Sequence, residues 1–362
     1  MGIKKGLLSF IKKKYPSVIK QGHIEDYAGK TIALDIFSFL YRYIHTFGKE
    51  DSRWIVSVFK HFSVFKKHKI NIIPIFDGKP PVEKNEERNF RKEKKEQEDQ
   101  RMVKLSTDFN VFLETGQVSE VLEHVNSFLT RRKQQASLFR SRIKNDNKPR
   151  IDVYEIQNYI DAQKNKCNYL SKYDITIIKE LLAIVKIPFV QAVDEAETLA
   201  CYLLNKNLCD TLISLDSDCI AYGINNFIID INQRGNCTIF DVNEFCTQTE
   251  LTKEQVTDLC IICQCDYNSQ GNGIEGVGPV RAISLLKQHQ NIEGILSAGY
   301  KEDRLNHVRC REIFCSKYEE QEEDIKNLKF DEEISLEDFA KFINEKDIHI
   351  NMKEFQDIWI EG

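Results

Sequence analysis

No cysteine occurs before Cys167, and the 362-residue chain has only 7 prolines, 3 methionines and 2 tryptophans. No apolar stretch reaches the length of a membrane span, so a transmembrane helix is excluded. The start, Met1-Gly2-Ile3-Lys4-Lys5, lacks the apolar stretch of a signal peptide. Gly2 invites myristoylation, but position 6 is Gly rather than Ser or Thr, which speaks against it. The expectation is an intracellular, non-secreted protein whose 11 cysteines are free thiols. Cys260, Cys263 and Cys265 have no second Cys or His pair at finger spacing, and Cys260 and Cys263 share an apolar helical face with Leu259 and Ile262. Core packing is therefore the better reading than zinc. No internal repeat is visible.

What the chain does contain is a core and an uneven charge. Hydrophobic residues make up 41%, enough for one large α/β domain with an appended piece, or for two domains. The net charge of −5 argues against nucleic acid, but it averages over opposites. Residues 131–150 hold eight Arg or Lys against one acid, Asp146, whereas Tyr318–Glu337 is strongly acidic. Local patches decide binding, not the sum. Abundant Lys, Asn and Ile with few prolines suggest an AT-rich genome, of a parasite or a large DNA virus.

Three apolar runs each stop on an aspartate: TIAL at Asp35, IIPIF at Asp77 and TLISL at Asp216. Short apolar runs between helical patterns read as buried parallel strands. Ligands of open α/β sheets bind beyond the carboxyl ends of such strands. Three strands thus bring carboxylates to one edge, where they repel one another unless cations sit among them. Glu195, Glu197, Asp218 and Asp266 complete a set of seven acids. Mg²⁺ takes oxygen ligands, and two ions roughly 4 Å apart suit phosphodiester cleavage. Asp216 and Asp218 point the same way if the chain stays extended. Glu195 and Glu197 lie about 200° apart on a regular helix, so both reach one site only if the helix begins there. The structural alternatives are ordinary: Asp194 and Glu197 have capping-box spacing, and Asp266 can open a turn with Asn268.

Residues 31–77 read strand, helix, helix, strand. From about Glu83 to Asn168 charged and amide residues dominate, as in long solvated helices inserted between two halves of a sheet, or in a disordered linker. Lys84, Arg88, Arg91 and Lys95 fall on one face of a predicted helix. That stripe either holds a scissile phosphate or is balanced by Glu86, Glu87 and Glu93. A helix capped by Asp174 is expected over Ile175–Val185, then a strand at 187–190, a helix from Asp194, a strand at 227–230 and a helix over 252–264. The glycine-rich segment Gly271–Pro279 precedes a helix over Val280–His289. It offers backbone N–H groups and a positive helix end to a duplex backbone, with Arg281 and Lys287 adding charge.

Seven segments, in order, resemble the XPG family of structure-specific 5′ nucleases, and most closely the flap endonucleases: MGI at the start, ALDIFSFLY at 33–41, FDGKPP at 76–81, DEAE at 194–197, LDSD at 215–218, DLCIICQCDY at 258–267 and GVGPVRA at 276–282. The resemblance implies a PIN-like α/β fold: a central, mostly parallel sheet flanked by helices, with a helical arch insertion and a helix–three-turn–helix DNA-binding module. It implies an N-terminal nuclease region at 1–105, the arch at 106–173, an internal nuclease region at 174–250, the duplex-binding region at 251–300 and an acidic helical tail at 301–362.

The resemblance also implies the chemistry. Asp35, Asp77, Glu195 and Glu197 would surround one Mg²⁺, and Asp216, Asp218 and Asp266 a second, with Mn²⁺ able to substitute. Lys84 and Arg91 stand seven and fourteen residues past Asp77, where the family has a catalytic Lys and Arg. Tyr41 would stack on a base near the cut, and Gly2 would sit close to the active site once Met1 is removed. Gly276, Gly278 and Arg281 would grip duplex DNA, with K⁺ at the helix–three-turn–helix. The implied activity is metal-dependent cleavage of branched or flapped DNA in replication and repair, in the nucleus, or the host nucleus if the chain is viral. The expected enzyme is a monomer. The C-terminal QDIWIEG does not match the family's sliding-clamp peptide, so clamp binding is not predicted. Two departures stand out: the span from Asp77 to Glu195 is some tens of residues longer than usual, and the Asp266–Gly276 loop a few residues longer. An mRNA-degrading nuclease and an inactive nucleic-acid-binding scaffold are the alternatives.

Overall fold

The computed structural model describes residues 3, 6–136, 151–166, 169–268, 273–330 and 332–361. Gly2, Cys167, Gly271 and most of the basic stretch 131–150 lie outside the described residues.

The chain opens with α1 (Leu7–Lys14) and strand β1 (Ile19–His23). The sheet centre follows, as β2 (Thr31–Asp35), α2 (Ile36–Phe47), α3 (Arg53–Lys67) and β3 (Asn71–Phe76). In β2 successive side chains enter opposite cores, Ile32 and Leu34 on one face and Ala33 on the other. A strand buried on both faces must be apolar throughout, and that is why the runs before Asp35 and Asp77 carry no alternation. Pro74 is accommodated in β3 because the neighbouring edge strand pairs only with Ile75 and Phe76.

Next come three helices, α4 (Asn85–Thr115), α5 (Glu120–Ala136) and α6 (Val153–Lys166). The 31-residue α4 contains no Gly or Pro and stops at Gly116, which takes the left-handed conformation at φ 74°. Its second half alone is amphipathic. Met102, Leu105 and Phe109 pack with Leu122, Val125, Leu129, Ile156 and Ile160 into a small separate core. The insertion is thus helical, as the first of the two sequence readings has it. The boundary placed at residue 105 falls inside α4, because this helix runs without a break from Asn85 into the insertion's own core.

The second half of the sheet uses α7 (Lys172–Ile184), β4 (Val190–Gln191), α8 (Ala196–Asn205), β5 (Thr211–Ile213), β6 (Asn226–Ile231) and β7 (Asn236–Asp241). Ser171, not Asp174, caps α7; Asp174 is the reciprocal member of that capping box. The strand expected at 187–190 is confined to Val190–Gln191. Strand order is β1-β7-β6-β5-β2-β3-β4, parallel from β6 to β4 and antiparallel across β6, β7 and β1. The chain winds to one side of β2 to form β3 and to the other to form β5. This topological switch leaves a crevice at the strand ends carrying Asp35, Asp77 and Asp216.

The remainder is α9 (Val242–Thr249), α10 (Lys253–Ile262), β8 (Gly273–Ile274), α11 (Pro279–His289), α12 (Ile292–Ser297), β9 (Glu302–Asp303), α13 (His307–Phe314), α14 (Glu319–Lys326), α15 (Leu336–Glu345) and α16 (Met352–Trp359). The acidic tail is not a loose appendage. Phe339 and Phe355 stack with centroids 3.7 Å apart, Phe59 of α3 stacks on Trp359 at 5.6 Å, and the Trp359 indole donates to Ser63 Oγ at 2.9 Å. It closes one face of the main core, using an apolar stripe hidden among its acids. Cys260, Cys263 and Cys265 are fully buried in the core. Among the described residues no helix is long and apolar enough to cross a membrane.

Candidate active site

Short bonds fix the three strand-end aspartates at the crevice, two of them through a shared serine. Ser214, just past β5, donates its hydroxyl to Asp35 Oδ2 at 3.0 Å and accepts the Asp216 N–H at 3.1 Å. Asp77 accepts the Ala196 N–H at 2.9 Å, so one strand-end acid holds the first turn of α8. The loops themselves interlock: a side chain at Gly78 would put its Cβ 2.1 Å from the Ala192 carbonyl oxygen, so only glycine fits there.

Glu195 is the N-cap residue of α8 and Glu197 lies in its first turn. The helix does begin there, and both glutamates reach the same cation. The capping box suggested by Asp194 and Glu197 does not form. Asp194 instead accepts from the Tyr318 hydroxyl at 2.5 Å and the Glu195 N–H at 2.7 Å. Asp216 itself is extended, but the chain turns before Asp218. Asp216 caps a 3₁₀ turn over Ser217–Tyr222 and accepts the Asp218 N–H at 2.9 Å, while Asp218 turns inward to 1% exposure. Asp266, fully buried, opens another 3₁₀ turn and donates its N–H to Asp218 Oδ2 at 3.2 Å.

Two cations enter this nest. Lys84 ends a 3₁₀ turn, Val82–Lys84, ahead of α4 rather than within it. Its ammonium bonds Glu195 and lies 3.5 Å from both Glu197 and Asp266. Arg91, on α4, bonds Asp266 at 2.6 Å and Glu87 at 2.8 Å. Lys84 and Arg91, two members of the four-residue basic stripe, thus pair with acids of the nest.

Tyr267 and Ser214 are the residues that motif reading missed. The Tyr267 hydroxyl donates to Glu195 Oε2 at 2.7 Å, its ring lies 5.7 Å from the Lys84 ammonium, and its oxygen continues a chain through Tyr222 to Thr198. Burial of a tyrosine directly after Asp266 was the available signal, since a buried phenol needs a partner.

The charge balance is unfavourable. Burial, then Asp77, pushes the Asp35 carboxyl up to about 7. Burial likewise raises Glu197 and Asp218 far above the carboxylate range, and Glu195 and Asp77 to a lesser degree; Asp77 is open to solvent at the mouth but walled by protein on its other sides. Burial opposes the Lys84 charge, yet Glu197, Glu195 and Asp266 outweigh it and hold the ammonium above the usual lysine range. One lysine stays charged while its many acid neighbours compete to share protons.

The sign of the pH effect follows. Carboxyls that bind protons more tightly folded than unfolded make stability fall as pH rises from the usual carboxylate range towards 7. Without metal, the melting midpoint should drop by several degrees between about pH 5 and pH 7.5. Asp35→Asn should flatten that slope in a thermal scan with chelator present. A wild-type midpoint that rises over this window would contradict the charge balance described.

Among the described residues no three acids, histidines or cysteines stand ready-made around a metal position. The donor set nevertheless suits a hard divalent cation. It is all oxygen, it carries excess negative charge, and Asp218 Oδ1 and Asp266 Oδ1 are buried with no hydrogen-bond partner among the described residues. Lys84 and Arg91 now hold the acids that such an ion would draw on.

Other expected residues are more peripheral. Tyr41 is half-buried on α2, beside Phe37 and His45, and burial raises its phenol. Gly276 adopts φ 66°, Gly278 is the extended N-cap of α11, and Arg281 lies over the Tyr300 ring at 5.4 Å.

Known proteins match along most of this chain. The XPG N-terminal domain matches residues 1–98 and the XPG I-region residues 186–266. A probable RAD2-like endonuclease of Invertebrate iridescent virus 6 is 28% identical, over 91% of this chain and 83% of its own. Flap endonuclease 1 of Theileria annulata is 26% identical over 82% of this chain, which spans about half (51%) of that longer protein. The solved flap endonuclease-1 from Methanococcus jannaschii shares the fold at 19% identity and a TM-score of 0.57, covering 96% of this chain and 97% of that one.

Proposed function

The chain belongs to the XPG family of nucleases, and from that premise we propose that it is a Mg²⁺-dependent nuclease hydrolysing DNA phosphodiesters where single and double strands meet, 5′ flaps above all, in DNA replication and repair. Asp35, Asp77, Glu195 and Glu197 would hold one ion and Asp216, Asp218 and Asp266 a second. The bound ions supply Lewis acidity at the phosphoryl oxygens and a nucleophile at neutral pH.

The chain's own residues do the rest. Lys84 and Arg91, released from acid partners, turn their charges to the scissile phosphate as charge develops there. Tyr41 offers an aromatic face to the base that leaves the stack. The loop from Gly276 to Arg281 holds duplex backbone without reading sequence, and binding weakens as salt rises. Such an enzyme works in the nucleus, its own or a host's.

One observation carries the reading: acids from five separate segments gather at one crevice, and two of those segments, through Glu195, Glu197 and Asp266, pair with Lys84 and Arg91 from a sixth. The test is a panel of labelled 5′-flap, nicked, bubble and single-stranded DNA plus capped RNA, with Mg²⁺ present or omitted. The flap should be cut fastest, leaving a 5′-phosphate, and nothing should be cut without metal. Preference for the capped RNA, or cutting that ignores junctions, would overturn the proposal.

A further inference from the structure

One ion pair joins the turn that carries Lys84 to a helix far along the chain. Glu83, the residue before Lys84, accepts from Arg309 Nε at 2.7 Å. The Glu83 carboxylate is largely buried, and its second oxygen has no other partner among the described residues. Arg309 sits on α13, and that helix is anchored elsewhere. Two residues on, Arg311 donates two hydrogen bonds to Asp258 of α10, 2.7 Å at each oxygen, and also pairs with Glu293 of α12. Asn306, the N-cap of α13, donates its N–H to Asn268 Oδ1, in the turn that begins with Asp266.

We infer that Arg309 is a positioning residue: through Glu83 it sets where Lys84 stands, and α13 thereby connects α10, the helix before the glycine loop, to the catalytic cation. The physical basis is stiffness. Glu83 and Lys84 share a single 3₁₀ turn, so fixing the first carboxylate fixes the backbone from which the second side chain projects. A charge-assisted bond to a half-exposed arginine adds modest stability, but displacement of about 1 Å at a reacting group changes rates strongly. Duplex seated against α10 and α11 would shift α13, and with it Lys84. The inference rests on the nuclease reading above.

The experiment measures single-turnover cleavage of a 5′-flap duplex at saturating enzyme, with DNA affinity measured separately. Arg309→Ala and Glu83→Gln should each slow cleavage about tenfold, with affinity unchanged. Arg309→Lys should keep most of the rate, and the charge-swapped double variant (Glu83→Arg with Arg309→Glu) should recover much of what either reversal alone loses. If Arg309→Ala weakens DNA binding but leaves the saturated rate intact, Arg309 is a phosphate contact and the inference fails. It also fails if the two reversals are additive, or if the single variants cut at the wild-type rate. A wild-type protein that cuts no junction would instead sink the nuclease reading, and this inference with it.

Discussion

Asp216→Asn should abolish most cleavage of a 5′-flap duplex while leaving the fold intact. The side chain caps the turn over Ser217–Tyr222 through one oxygen, and an asparagine oxygen accepts the same Asp218 N–H. What disappears is a full negative charge in a half-buried place. Loss of about 4 kcal/mol of charge stabilisation corresponds to roughly a 10³-fold slower reaction. The melting midpoint without metal should stay level or rise, since one of several mutually repelling carboxylates is gone. Single-turnover rates with Mg²⁺ and a thermal scan with chelator separate the two effects. A rate within about tenfold of wild type would remove Asp216 from the metal set.

Lys84→Ala should damage both activity and stability, and the second in a pH-dependent way. Its ammonium is 8% exposed at the residue level and lies among Glu195, Glu197 and Asp266. Removing one partner from a buried charge cluster costs about 3–5 kcal/mol when the remaining charges cannot neutralise themselves. Here they partly can: burial already raises the pKa of Glu195 and Glu197, so protonation relieves the variant in mild acid. The destabilisation should therefore be larger near pH 8 than near pH 5, read from metal-free melting at the two pH values. Cleavage under saturating Mg²⁺ should fall about 10²–10³-fold, as for loss of one preorganised stabiliser of transition-state charge. Equal stability loss at both pH values would show that Lys84 is not the counter-ion of this cluster.

The strand-end aspartates were legible because a parallel strand covered on both faces must be apolar along its length, so the first charge after it marks the sheet edge. Helical periodicity offered four cations and did not choose among them; the family resemblance singled out Lys84 and Arg91, and Lys84 stands in the turn before the helix to which that periodicity assigned it. Local alternatives misled where several bonds compete for one carboxylate. Capping-box spacing pointed to Asp194, yet Tyr318, from a tail with no motif of its own, takes that side chain. Alternation pointed Asp218 and Asp216 the same way, yet a 3₁₀ turn sends Asp218 into the protein. The tail read only as acidic and helical because its apolar stripe is diluted by Glu and Asp, and the face of α3 that it covers explains that stripe.

By itself the amino-acid order determined the sheet's parallel core and which acids stand at strand ends. Those properties follow from backbone geometry and side-chain periodicity within a few residues. Tertiary structure alone decided that Ser214 and Tyr267 brace the acids, that the Asp266 N–H bonds the Asp218 carboxylate, and that Arg309 reaches Glu83 across 226 residues. Such contacts depend on how elements pack around the crevice, and charge and hydrogen-bond complementarity over that distance leaves no period in the chain to read.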